Sequence, residues 1–344
     1  MSSRLGRKRK VTIVDVAESA GVSVSAVSRA FNPSASISVE MRTRVFEAAD
    51  RLNYKPNRLA RAIKSSSSLI AILVTDFNNP FYIEVLEAFT SEIQKHNFHC
   101  LLVNVNERLD IGAALDLVME YRVDGLIVTS ASLSDELLES CVANDVPVVI
   151  FGRGGKINGK NNMPILCDNV TCDNFMAGSL AADLILEAGY NTPAFVSGPR
   201  NASVSLERQR GFVHRLVSKS CPNWQIIEGG DFSYQAGYEA MIKLFQGRER
   251  PDSVFFADDL MACGGIDAIK YVIQLDVPND VGIVGVDDIQ LSSSPAYNLT
   301  TIQQPYVDMV KKTIELLFRR IEDISLLPQS STLPCVPIKR GSLR

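Results

Sequence analysis

The sequence predicts an α-helical helix-turn-helix domain followed by a larger α/β body in two lobes. Three observations carry that reading. Residues 1–64 hold 13 Lys and Arg against 5 Asp and Glu, whereas the rest of the 344-residue chain holds 22 against 34, so a basic head precedes an acidic body. Two short amphipathic stretches meet at Gly21-Val22-Ser23, the length of turn that joins a helix pair. From Leu69 onward, uniformly apolar runs alternate with amphipathic ones, the pattern of parallel sheets covered on both faces.

Each head helix follows from spacing and caps. In TIVDVAESAG, Ile13, Val16, Ala17 and Ala20 fall at i, i+3, i+4 and i+7, one face of a helix. Thr12 can cap its start and Gly21 can take a positive φ at its end. A second helix is predicted from Val24 to Phe31 with Ser23 as its cap and Val27, Ala30 and Phe31 turned inward. That register projects Val24, Ser25, Ser28 and Arg29 outward. Small side chains let such a helix enter a major groove, and a guanidinium can donate twice to guanine or hold a phosphate. A third helix is predicted over Val39–Leu52, with Met41, Val45, Ala48 and Leu52 in register.

The body offers eight strand candidates: residues 69–74, 99–104, 125–129, 146–151, 164–169, 193–198, 253–257 and 281–286. Their number suits two sheets. The serine run at 64–68 reads as a domain junction.

Composition and motifs exclude several classes. No apolar run approaches a membrane span, and the basic N-terminus lacks the apolar core of a secretory signal, so the expected compartment is the cytoplasm. The seven cysteines are scattered without a C-x-x-C pair, which argues for free thiols and against a zinc site. His96 and His99 read as one solvated helix face, and no metal or cofactor is expected. An enzyme of the doubly wound class would need a phosphate loop, but neither G-x-G-x-x-G after the first strand nor G-x-x-x-x-G-K-[ST] occurs. G-x-S-x-G and H-E-x-x-H are absent as well.

The head, with D-V-A-x-x-A-G-V-S-x-x-x-V-S-R and L-N-Y-x-P-N-x-x-A-R, resembles the DNA-binding head of the LacI/GalR repressors. PNDVGIVGVDD, LTTIQQP and KRGS extend the resemblance to the C-terminal region. It implies a ligand-controlled repressor, a homodimer on a pseudo-palindromic double-stranded DNA operator, with no enzymatic activity. It assigns Val24, Ser25 and Arg29 to base reading and Thr12, Ser23 and Ser28 to backbone contacts. It makes PNRLARAIK (56–64) a hinge helix that pairs across the dimer and binds DNA through Asn57, Arg58, Ala60 and Ile63, the last in place of the family's minor-groove leucine. The segment FNPSASIS is longer than is common in the family. The implied domains are a head at 1–55, a hinge and linker at 56–68, and a periplasmic-binding-protein-like effector body at 69–344. Its first lobe takes about 69–168 and 302–330, and its second about 169–301 and 331–344.

Ligands of such folds lie at the carboxyl ends of strands. Asn79, Phe81 and Tyr82 follow the first strand and offer an amide and two flat faces, which suit a sugar. Resemblance to ribose-type binding proteins adds Thr129, Arg153, Arg208, Phe232, Asp258, Asp287 and Gln304. Two departures are Gly152, where such sites often carry an acid, and Asp258, where an amide is common. The expected effector is a sugar or sugar derivative, with a purine or nucleoside as the alternative.

Overall fold

The computed structural model describes residues 11–32, 35–55, 67–105, 111–129, 146–153 and 167–344. The chain divides into two compact units, one ending at Ser67 and the other beginning at Ser68.

In the head, α1 (Ile13–Ala20) starts at a capping box. Thr12 N–H donates to Asp15 Oδ2 at 2.7 Å and Asp15 N–H donates to Thr12 Oγ1 at 3.4 Å. It stops at Gly21, whose φ of +66° costs a glycine little. Ser23 caps α2 (Val24–Ala30) and Ser38 caps α3 (Val39–Arg51). Phe31 and Leu52 are C-caps, one residue past each helix. Val16, Ala17, Val27, Ala30, Val45, Ala48 and Ala49 form the buried core. The alanines let three short helices approach closely, and Phe31 closes one end against Phe46 and Tyr54.

The body contains two six-stranded sheets. The first comprises β1 (Leu69–Val74), β2 (His99–Asn104), β3 (Gly125–Thr129), β4 (Val148–Phe151), β5 (Asp168–Cys172) and β11 (Ser330–Leu333), in the order β11-β5-β4-β3-β1-β2, all parallel. The second comprises β6 (Pro193–Ser197), β7 (Gln225–Glu228), β8 (Ser253–Phe256), β9 (Gly282–Asp287), β10 (Thr300–Gln303) and β12 (Val336–Ile338). Its order is β12-β10-β9-β8-β6-β7, and only β12 is antiparallel. Helices α4 (Pro80–Lys95), α5 (Ile111–Glu120) and α10 (Tyr306–Glu322) belong to the first lobe. Helices α6 (Asn174–Glu187), α7 (Ser203–Ser218), α8 (Tyr234–Gln246) and α9 (Asp259–Ala268) belong to the second. The chain passes between lobes three times: at Cys172–Asn174, at Gln304–Pro305 and at Pro334–Cys335.

These crossings correct the lobe limits drawn from sequence. Residues 169–172 and 331–333 belong to the first sheet, and 302–303 to the second. The strand expected at 164–169 is observed at 168–172, because its polar residues are satisfied inside. Asp168 accepts from Arg320 Nε at 2.5 Å and from Gln329 N–H at 2.6 Å. β7, β10, β11 and β12 were not expected from sequence; like β5, they lack a long apolar run. His96 and His99 do not share a helix face. His96 caps α4 and stacks on Phe318, while His99 opens β2. Among the described residues, no helix is long and apolar enough to cross a membrane.

Candidate functional site

On α2, Ala26, Val27 and Ala30 are buried, while Val24, Ser25, Ser28 and Arg29 are exposed. One face therefore presents a methyl pair, two hydroxyls and a guanidinium. The flanking hydroxyls are already engaged. Thr12 Oγ1 donates to Asp15 Oδ2 at 2.7 Å. Ser23 Oγ accepts from Ala26 N–H at 3.2 Å and shares a 2.9 Å hydrogen bond with Ser25 Oγ. The long segment after α2 is pinned at both ends, because Arg42 Nη2 donates to Asn32 O at 3.4 Å and Ala35 O at 3.2 Å. Asn57, Arg58, Ala60 and Ile63 lie outside the described residues.

The second site lies between the lobes of the body, where strand ends and helix starts converge. Asn79 is the N-cap of α4: its Oδ1 accepts from Phe81 N–H at 3.0 Å. Asp258 is the N-cap of α9: its Oδ1 accepts from Met261 N–H at 2.8 Å. The two caps then join across the cleft, Asn79 Nδ2 donating to Asp258 Oδ2 at 2.8 Å. A second bond crosses nearby, from Gln290 N–H to Glu84 Oε1 at 2.9 Å.

Behind them lies a buried polar set. Arg208 donates from Nε to Asn174 Oδ1 at 2.8 Å and from Nη1 to Ala257 O, and its Nη2 is 3.7 Å from Asp287 Oδ1. Gln304 Nε2 donates to the same Asp287 oxygen at 2.6 Å. Asp287 has φ +126° and Asp288 φ +62°, a costly backbone for side-chain-bearing residues. Arg340 holds it by pairing with Asp288 at 2.5 Å, and Gln303 donates to Asp288 at 2.8 Å. Burial pushes Asp287 up to about 7, against the pull of Arg208 and Gln304. Burial, then the Asp287 charge, also holds Asp258 well above the usual carboxylate range. Tyr82 is raised by burial and then by Asp287, so its hydroxyl stays protonated. For Arg208 burial is the largest influence and opposes the charge, yet the surrounding acidic groups, Asp287 first, together outweigh it and the guanidinium stays charged.

Eight of the ten pocket residues named from sequence line this cavity: Asn79, Phe81, Tyr82, Arg208, Phe232, Asp258, Asp287 and Gln304. Two do not. Thr129 is buried in β3 and donates to Leu73 O at 3.0 Å, so its hydroxyl serves the sheet. Arg153 stands outside the lining. Phe151, Gly152 and Val204 complete it and were not among the candidates. Phe151 ends a strand beside Arg153, and Val204 lies one helical turn before Arg208, so strand-end and helical spacing point to both. The cavity measures about 40 Å³, little more than the roughly 30 Å³ share of one water. Two hydrogen bonds, Asn79 to Asp258 and Gln290 to Glu84, join the lobes across it.

Comparison with known proteins agrees with this division. Residues 12–57 match the model for bacterial regulatory proteins of the lacI family, and residues 182–343 match that of a periplasmic binding protein-like domain. The HTH-type transcriptional repressor PurR of Aliivibrio salmonicida (strain LFI1238) is 32% identical over 318 residues, 91% of this chain and 92% of that protein. The ribose operon repressor of Escherichia coli (strain K12) is 30% identical over 336 residues, 96% and 99% of the two chains. The crystal structure of the lac repressor dimer bound to operator and the anti-inducer ONPF has a TM-score of 0.83 at 25% identity, covering 97% of this chain and 99% of that one. The relatives are transcriptional repressors, not enzymes. The basic head with its helix-turn-helix, the two-sheet body behind it and relatives that span nearly the whole chain place this protein in the lacI family of bacterial regulators.

Proposed function

We propose that this regulator represses transcription as a homodimer on a pseudo-palindromic operator, in the cytoplasm. Its operator affinity is set by a neutral polyhydroxylated ligand, a sugar, held between the two lobes. The observation that carries the ligand class is the state of Arg208. Among the described residues of the lining it is the one cation, held by hydrogen bonds to Asn174 and Ala257 O and with its charge paired by Asp287. What remains toward the cavity is acceptor oxygen from Asp258 and Asp287, amide from Asn79 and Gln304, and the rings of Phe81, Tyr82 and Phe232. Hydroxyls donate to such carboxylates and C–H faces pack on such rings. A phosphate or a sugar acid would meet two buried acidic groups and a single cation whose charge Asp287 already pairs. The ribose operon repressor among the relatives supports a sugar, and the operator-bound lac repressor dimer supports the homodimer.

In this reading Val24, Ser25 and Arg29 read bases, while Thr12, Ser23 and Ser28 meet the DNA backbone. Residues 56–68 form the linker, with Asn57, Arg58, Ala60 and Ile63 at the minor groove. Because the Asn79–Asp258 bond spans the cleft, a sugar enters as that bond parts. It then replaces that bond with its own hydroxyls and resets the angle between the lobes.

The test is thermal melting of the full chain with D-ribose, hexoses, sugar acids, sugar phosphates and purines. One neutral sugar is expected to raise the midpoint; at a hundred times its Kd, mass action gives about 2.7 kcal/mol. A shift with a sugar phosphate or a purine, and with no neutral sugar, overturns the ligand class. Operator sequences selected from random DNA are expected to be two-fold symmetric.

A further inference from the structure

Two of the three crossovers between the lobes carry a cysteine. Cys172 ends β5 and Cys335 lies between β11 and β12; both are buried. β5 and β11 are adjacent, with Cys172 opposite Leu333, and Asp173 N–H donates to Leu333 O at 2.8 Å. The chain then turns so that Cys335 Sγ donates to Asp173 O, the residue after Cys172, at 3.8 Å, which sets the two thiols side by side. The third crossover meets them: Cys172 Sγ donates to Gln304 Oε1 at 3.1 Å. Cys172 Sγ is also 3.5 Å from Asn174 Oδ1, the atom that receives Arg208 Nε. One sulfur thus touches all three connections between the lobes, directly behind the effector cavity.

A second cavity reaches this point. It measures about 300 Å³ and is lined by Cys172 together with Asp173, Ser203, Glu207 and Thr332, among others. A small solute can occupy that space, since a water needs only about 30 Å³. The hydrogen bond from Cys335 holds the Cys172 thiol below its ordinary value despite burial, and the Arg208 charge adds to this; Cys335 is pushed up by the same pairing. An acidified thiol that a small oxidant can reach, next to a second thiol, is the arrangement of a reversible oxidation site.

We propose that Cys172 and Cys335 form a reversible disulfide when a hydroperoxide enters this cavity, stapling two of the three crossovers and fixing the angle between the lobes. The Cys172 thiolate attacks a peroxide oxygen; the S–O bond forms, the O–O bond breaks, and hydroxide leaves and takes a proton. The Cys335 sulfur then attacks the Cys172 sulfur as its proton moves to the departing oxygen. The S–S bond forms, the S–O bond breaks and a second water leaves. Two thiols are oxidised and one peroxide is reduced to two waters.

The full chain is treated with hydrogen peroxide without reductant, alkylated, and digested under non-reducing conditions for mass spectrometry. A peptide linking Cys172 to Cys335 is expected, lighter than its two halves by two hydrogens and split by dithiothreitol. In Cys335→Ser, Cys172 is expected to accumulate as the sulfenic acid that dimedone traps. Amide hydrogen exchange in the wild-type chain at 171–175 and 333–337 is expected to slow on oxidation by about tenfold or more, as local opening is suppressed. Failure to find the linked peptide in wild type, with Cys172 intact or oxidised singly, overturns the site. A linked peptide with unchanged exchange at both crossovers overturns the staple. Neither measurement uses a ligand, so its outcome is separate from that of the sugar reading.

Discussion

Asp259 is a carboxyl group buried behind the pocket, accepting from Thr301 Oγ1 at 2.6 Å and from Ile289 N–H at 3.1 Å. Burial, with the nearby Asp287 charge second, lifts it to about 8. An unfolded aspartate sits near 3.9, so the folded chain holds this proton more tightly. The resulting stabilisation is complete below about pH 4 and is lost as pH rises through about 8, with Asp287 acting the same way up to about 7. The melting midpoint is expected to fall between pH 5 and 8. In Asp259→Asn the amide oxygen can accept from Ile289 N–H while the NH2 donates to the Thr301 hydroxyl, so a flatter profile is expected; an unchanged slope would move the effect elsewhere. On the head, Arg29→Ala is expected to lower discrimination between operator and random DNA by about 1–3 kcal/mol. Equal loss on every DNA, measured by titration, would make Arg29 a phosphate contact. At this scale the sequence was legible where a residue type and its place agree. Asn79 and Asp258 both read as pocket residues, and the structure makes each a helix cap that also lines the cavity. Thr129 was misleading because a hydroxyl at a strand end can turn equally to ligand or to backbone, and nothing local decides which.

At the scale of elements, α6 and α7 cross backbone to backbone. A Cβ at Gly178 would stand 1.9 Å from Arg208 O, and one at Gly211 would stand 1.8 Å from Phe175 O. This close crossing sets Arg208 beside Asn174. Gly178→Ala must push the helices apart, at about 1–3 kcal/mol or more, and carry Arg208 out of register with Asp287. A lower denaturant midpoint is expected together with a weaker response to whichever ligand shifts the wild-type protein. Loss of stability with the ligand response intact would show that the crossing does not position Arg208. The elements themselves were largely readable, because buried parallel strands are apolar throughout and the head helices carry their caps in sequence. The exceptions share one cause. β10 and β5 bury threonine, asparagine and aspartate whose partners include residues distant in sequence, Asp259 and Arg320 on helices and Ser330 and Arg340 in the C-terminal segment, and such partners are invisible to a local pattern.

For the whole molecule, the proposed switch is a linkage between two ligands. If the sugar changes operator affinity by some factor, the operator must change sugar affinity by the same factor. Titrating each in the presence and absence of the other checks this, and unequal factors would mean that the two ligands do not share one equilibrium. The paired caps Asn79 and Asp258 hold the cleft shut, so Asn79→Ala is expected to weaken the closed state and speed ligand entry, read as a faster association rate. The division into head and body was plain from charge and periodicity. The lobe limits were not, because the crossovers are single residues whose neighbours pair on both sides.

The segment 330–338 supplies an edge strand to each sheet, with Arg340 and Ser342 fastening its far end to Asp288, Thr300 and Ile283. On a ribosome, every other strand of both lobes is made before it. Neither lobe can therefore complete its sheet until this one segment has been made, and the two become complete together. A ribosome that stops early, or a nick near residue 328, would leave two open sheet edges on one molecule, the surfaces through which unfinished chains associate.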